Sequence, residues 1–158
     1  MSQVRPQGVA RDRDAGRERR IRAMTSQIGR GPNSDTLIFA EEAFSGAGTR
    51  CLDIGSGLDT KDALIGWYAG ALPLPGYWSC NWDAFADFPE DLSWLPDRAI
   101  DIHHDGLPLA DRPDGLAIYV TILHSTVRHW RRFPEHDVRV AFHPRWTAAV
   151  SGITLDEP

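Results

Sequence analysis

The spacing of apolar and polar residues along this chain changes period several times, and the changes mark its elements. Residues 50–54 (RCLDI) form a short apolar run that ends at Gly55-Ser56-Gly57, which predicts a strand closed by a turn. After Asp59 and Thr60, either of which suits an N-cap, Leu64, Trp67 and Tyr68 make an apolar stripe, predicting a helix to about Ala71. Pro73 and Pro75 then hold Leu72–Ser79 as an extended loop. Asn81 caps a short helix to about Phe88, which Pro89 stops, and residues 98–103 (RAIDIH) alternate as a strand. From Gly115 to Arg132, Leu116, Tyr119, Val120, Leu123, Val127 and Trp130 fall on one helical face. That segment is too long for an ordinary strand despite its β-branched residues, and Arg128, Arg131 and Arg132 sit where the helix dipole favours cations. Residues 137–142 (DVRVAF) give a last strand with Val138, Val140 and Phe142 on one face. The run 36–43 (TLIFAEEA) is too short to choose between strand and helix, and residues from Trp146 onward show no clear pattern.

This order of elements predicts an α/β domain with a small, mainly parallel sheet of three strands packed with three to four helices. The domain is expected over residues 34–145, followed by a tail over 146–158. Residues 1–33 are polar, Arg-rich and broken by glycines, so a disordered extension is expected there.

Composition narrows the function. The chain has 158 residues, 42% of them hydrophobic and 25% charged, as in a soluble globular protein. No apolar run approaches membrane-spanning length, and no secretory signal is apparent, which points to the cytoplasm. Cys51 and Cys80 lack metal-type spacing and are expected to be reduced and packed. The net charge of −5 is uneven: residues 1–33 carry +5, while Tyr77–Asp114 holds nine acids against two Arg. Such an acidic stretch repels nucleic acid and attracts a basic protein.

The chemistry concentrates in residues 74–96 (LPGYWSCNWDAFADFPEDLSWLP). On the short helix, Trp82, Phe85 and Phe88 share one face while Asp83 and Asp87 lie opposite. The aromatic face anchors the helix and leaves two carboxylates one turn apart, pointing outward. Like charges at that spacing cost a helix roughly 0.2–0.5 kcal/mol. Asp83 recovers part of this at the positive end of the dipole, whereas Asp87 gains nothing there. Before the helix, prolines and Gly76 hold Tyr77 and Trp78 in a loop, and Glu90 extends the acids beyond it. A glycosidase-type carboxylate pair is the weaker alternative, because one exposed helical turn offers no desolvated pocket to separate two pKa values.

This string resembles the signature of the barstar family: a Leu-Pro, a Tyr, an Asn-x-Asp-Ala, and a second Asp four residues after the first. The run Asp91-Leu92-Ser93-Trp94-Leu95-Pro96 is similar to the continuation in actinobacterial members. The resemblance spans about residues 49–143. It implies a barstar-like fold without cofactor or metal, acting as an intracellular antitoxin or immunity protein. It also implies one-to-one occlusion of a basic, barnase-like ribonuclease, with Tyr77, Asp83 and Asp87 central and Trp78, Asn81 and Glu90 supporting. The carboxylates would stand in for substrate phosphate. The chain departs from the pattern at Ser79, where the family carries Gly, and at Pro89, which shortens the helix so that Asp87 falls in its final turn.

Two other readings compete. A barstar-like module could serve a partner that is not a ribonuclease. Alternatively, His103, His104 and Asp105 have the composition of a metal-dependent hydrolase, although neighbouring residues on a strand point to opposite faces. His124 and His129 are five apart, which does not stack ligands on one helical face, and Ser93 and Ser125 show no triad partners.

Overall fold

The computed structural model describes residues 37–76, 78–87 and 90–153. Its sheet has four parallel strands: β1 (Ile38–Phe39), β2 (Thr49–Ile54), β3 (Ala99–His104) and β4 (Asp137–Phe142), in the spatial order β1-β4-β3-β2. Three of these match the expected strands. The fourth, β1, comes from the run whose pattern left strand and helix open, and it pairs Ile38 with Ala141 and Phe39 with Phe142. Two residues are too few for alternation to be legible.

Parallel strands require long crossovers, which helices supply. Between β2 and β3 lie α1 (Lys61–Ala71) and α2 (Trp82–Asp87), and α3 (Pro113–Arg132) links β3 to β4. Thr60 caps α1, its Oγ1 accepting from the Ala63 N–H at 3.2 Å. α3 starts at Pro113, before the expected Gly115, since a proline at the first helical position leaves no intrahelical donor missing. Leu52, Ile54, Ile100, Ile102, Val138, Val140 and Phe142 project from the sheet's inner face into the core with Leu64, Ile65 and Tyr68 of α1 and Leu116, Tyr119, Val120, Leu123 and Val127 of α3.

The strand order puts β1 and β2 at opposite edges, so residues 40–48 must cross β4 and β3. They cross the outer face, held by polar side chains. The Phe44 N–H donates to Asp101 Oδ2 at 2.5 Å, His103 Nε2 donates to the Ala40 carbonyl at 3.1 Å, and the Arg139 guanidinium lies 3.5 Å from the centre of the Phe44 ring. This crossing helps to bury Asp101 and His103. Burial pushes the Asp101 carboxyl above its ordinary value, against the Phe44 N–H and Arg139, which lower it.

Gly55-Ser56-Gly57 is a turn, as expected, and Gly57 is left-handed with φ +92°. Gly106 packs against it, its N–H donating to the Ile54 carbonyl at 2.9 Å, and a Cβ there would come within 2.3 Å of the Gly55 backbone. Two expectations are corrected. Residues 146–153 do not trail as a tail: after a 3-10 turn (Pro144–Trp146), α4 (Thr147–Ser151) folds back and buries Val150, while the Trp146 indole N–H donates to the Asp105 carbonyl at 2.9 Å. Cys51 and Cys80 are free but exposed rather than packed. Cys51 lies on the outer face, and its thiol donates to the Phe44 carbonyl. The extension over 1–33 and the last residues, 154–158, lie outside the described residues. Among those described, no helix is long and apolar enough to cross a membrane.

Candidate functional site

α2 is six residues long, and Phe85 is its buried side chain. That ring sits in an aromatic cage, with centroids 5.0 Å from Tyr68, 5.9 Å from Tyr119, 6.0 Å from Trp82 and 6.4 Å from Trp78. Beneath the cage runs a buried polar chain. The Tyr68 and Tyr119 hydroxyls are 2.7 Å apart, and Tyr119 in turn bonds His104 Nε2 at 2.8 Å. His104 Nδ1 lies 2.9 Å from the Ala141 carbonyl, which only accepts, so Nδ1 carries the proton and Nε2 receives the Tyr119 hydroxyl. Burial lowers the His104 pKa from 6.5 to about 3, and burial raises both tyrosine hydroxyls. The neutral imidazole stacks on Phe142 at 4.0 Å. The floor under α2 is therefore rigid and uncharged.

Local bonds complete the placement of α2. Asn81 caps it, Oδ1 accepting from the Ala84 N–H at 2.7 Å while Nδ2 donates to Ser79 Oγ at 3.0 Å. The Trp78 indole N–H donates to the Ala84 carbonyl at 3.1 Å, tying the preceding loop to the helix. Among the described residues α2 runs to Asp87, while Phe88 and Pro89 lie outside them.

Asp83 and Asp87 are exposed, and among the described residues neither is paired with a cation of the chain. They do not stand on a convex ridge. They form one wall of a groove of about 450 Å3, lined also by Leu74, Trp78, Asn81, Asp91 and Trp94. Four of the expected site residues, Trp78, Asn81, Asp83 and Asp87, are thus brought together. Glu90 is exposed but does not line the groove. Tyr77 lies outside the described residues.

Asp91 and Trp94 were not among the residues expected at the site. Asp91 Oδ1 accepts from the Ser93 N–H at 3.1 Å and the Ser93 hydroxyl at 2.6 Å, and these bonds, the hydroxyl first, hold its carboxyl below the usual range. The Trp94 indole N–H donates to the Asp91 carbonyl at 2.7 Å. An Asp-x-Ser turn followed by Trp was the available signal, but nothing in it says that the turn faces α2.

The acidic stretch also proves smaller than its residue count. Asp97 pairs with Arg50 at 2.5 Å, Asp101 is buried under the 40–48 crossing, and Asp105 pairs with Arg145 at 2.6 Å. Of the nine acids, Asp83, Asp87, Glu90 and Asp91 are exposed on α2 and just after it, and Asp111 and Asp114 are exposed at the start of α3. Nor does the alternative trio converge. His103 faces outward between Asp53 Oδ1, at 3.0 Å, and the Ala40 carbonyl; His104 faces the core; Asp105 is held by Arg145. Among the described residues no group of three or more His, Cys, Asp or Glu is placed to hold a metal ion.

A family model described as Barstar (barnase inhibitor) matches residues 51–143, the span from β2 to the end of β4 and more than half of the chain. The chain belongs to the barstar family. Searches of curated proteins and of solved structures found no match. The α/β architecture is that of a barstar-like fold. The family is one of inhibitors rather than enzymes.

Proposed function

We propose that this barstar-family chain is an intracellular antitoxin or immunity protein. It binds a basic ribonuclease of the barnase type one-to-one and covers its active site with α2 and the loop before it. The supporting observation is that Asp83 and Asp87 sit one turn apart, exposed and unpaired among the described residues, on a helix whose opposite side is locked by Phe85. A ribonuclease concentrates cations where substrate phosphates lie, and two carboxylates on a rigid support meet those cations at little ordering cost. The surrounding acids speed encounter, so the association rate should fall as salt rises.

The test is titration of barnase with the full chain while RNA cleavage is followed. Cleavage should end at a one-to-one ratio, and Asp87→Ala should abolish that endpoint without altering the fold. Undiminished cleavage by barnase and related enzymes in excess folded chain would defeat the proposal.

A further inference from the structure

The strap that carries the chain across the outer face, residues 40–48, precedes the span that the family model matches, 51–143. Its hold on the sheet rests on its own contacts. The Ala40 N–H donates to the Phe142 carbonyl at 2.9 Å, at the end of the β1 pairing, and side chains then take over. His103 Nε2 meets the Ala40 carbonyl at 3.1 Å, Asp101 Oδ2 accepts from the Phe44 N–H, and the Cys51 thiol donates to the Phe44 carbonyl at 3.0 Å. We propose that one proton shared by His103 and Asp53 latches this strap. While the pair holds the proton, the strap lies closed over the outer face; when the proton leaves, the strap lifts from Ala40 onward. The latch is independent of what α2 binds.

Two neighbouring histidines are bonded in opposite ways. A neutral imidazole has one N–H and one bare nitrogen. His104 suits that state, because its Nδ1 faces a carbonyl while its Nε2 faces the Tyr119 hydroxyl, which donates. At His103 both partners are acceptors: Nε2 faces the Ala40 carbonyl, and Nδ1 lies 3.0 Å from Asp53 Oδ1. Both bonds form only with a proton on each nitrogen, as imidazolium beside carboxylate. Acids surround that charge. Asp53 faces it from β2, and Asp101 stands two residues before it on β3, with Arg139 of β4 4.0 Å from the Asp101 carboxylate. Its titratable surroundings also include Cys51 of β2, His143 just past β4, and the exposed Glu41 and Glu42 of the strap. When the pair loses its proton, Nε2 gives it up, because the Nδ1–H bonds an ionised carboxylate and such bonds are about twice as strong as neutral ones. Bare Nε2 then meets the Ala40 carbonyl lone pair to lone pair, and His103, 3% exposed, has little water to turn to.

The test is nuclear magnetic resonance of the full chain at about pH 5.5 and about pH 8.5, which bracket the titration of ordinary histidine. At the lower pH His103 should show a proton on both ring nitrogens, and His104 on Nδ1 alone. Between the two conditions, protection of the Ala40 and Phe44 amides from exchange should fall about tenfold, the scale of one hydrogen bond, while that of Val140 in β4 does not fall. Asp53→Asn alters a side chain that is 64% exposed, so the fold should tolerate it. The new amide can donate to Nδ1, which lets a neutral His103 keep its Nε2 proton on Ala40. The strap of this variant should therefore stay protected at both pH values. A single ring N–H on His103 at the lower pH would overturn the latch, as would equal protection of the unaltered strap in both conditions. So would an Asp53→Asn strap that opens with pH as the unaltered one does.

Discussion

Helices α2 and α3 occupy the same core and are held in different ways. α3 runs for 20 residues and buries Leu116, Tyr119, Val120, Ile122, Leu123, Thr126 and Val127. Its own stripe fixes it, and it begins without a side-chain cap on Arg112. α2 has six residues and buries Phe85. Isolated helices shorter than about 12–15 residues are marginal in water, so α2 persists through borrowed supports: the Asn81 cap, the Trp78 bond to Ala84 and the cage around Phe85. The difference teaches that a helix kept short and open on one side for a partner cannot stabilise itself by burial. Its loops and one anchor must do so.

Removing the anchor should have the largest effect. Phe85→Ala empties a cage whose other rings cannot close over it, and it should cost about 3–5 kcal/mol in a urea denaturation. The matching truncation on the exposed side of α3, Ile118→Ala, should stay within about 0.5 kcal/mol. Equal losses would mean that α2 is not held by its single anchor.

The acidic side of α2 should behave in the opposite way. Asp87→Ala removes an exposed carboxylate with no partner in the described chain, so stability should be unchanged or rise slightly as repulsion from Asp83 is relieved. Affinity for the ribonuclease should fall by at least about 30-fold, the scale of an interface hot spot. Calorimetric titration measures the second effect and thermal denaturation the first. A drop in stability together with affinity would show that Asp87 supports the fold.

Acidification should weaken both helices together, because His104 lies beneath Tyr119 of α3 and, through it, Tyr68 and Phe85. The unfolded chain protonates this histidine near 6.5, whereas the folded protein keeps it neutral down to about 3. Between those values the unfolded state binds more protons. Stability is therefore complete above the unfolded pKa and falls below it, by about 1.4 kcal/mol per pH unit for one such group. Urea midpoints measured between pH 7 and 5 should show this slope, and His104→Gln, whose side-chain oxygen can accept from Tyr119, should flatten it. An unchanged slope in that variant would assign the acid sensitivity elsewhere.

The same contrast explains what was legible in the sequence. α3, β3 and β4 repeat a period long enough to be read, and their bounds shifted by no more than two residues. The Asp83–Phe85–Asp87 arrangement was legible too, since three positions on a capped turn define two faces. β1 was not, with two residues whose partners on β4 lie 103 positions away. The groove escaped for a similar reason: that the 91–94 turn faces α2 is a tertiary fact with no local period. Asp97, Asp101 and Asp105 were misjudged as free surface charge because their partners, Arg50, the Phe44 N–H and Arg145, lie 40 to 57 positions away.

The cap gives the smallest effect and the sharpest test of borrowed stability. Asn81→Ala removes the acceptor for the Ala84 N–H, worth about 1 kcal/mol at a helix start. α3, with no side-chain cap, has nothing equivalent to lose. Because α2 is short and its acidic side is bare, it can fray without unfolding the sheet. The cost should then appear as local opening, with faster amide exchange at residues 83–87 and affinity reduced about fivefold, rather than as a lower global midpoint. Asn81 also lines the groove, so a lost contact could mimic this result. Asn81→Ser separates the two, because serine keeps the capping oxygen but not the amide. If Asn81→Ser restores slow exchange and most of the affinity, the cap is the cause. If it binds as poorly as Asn81→Ala while exchange is slow, Asn81 acts as a contact.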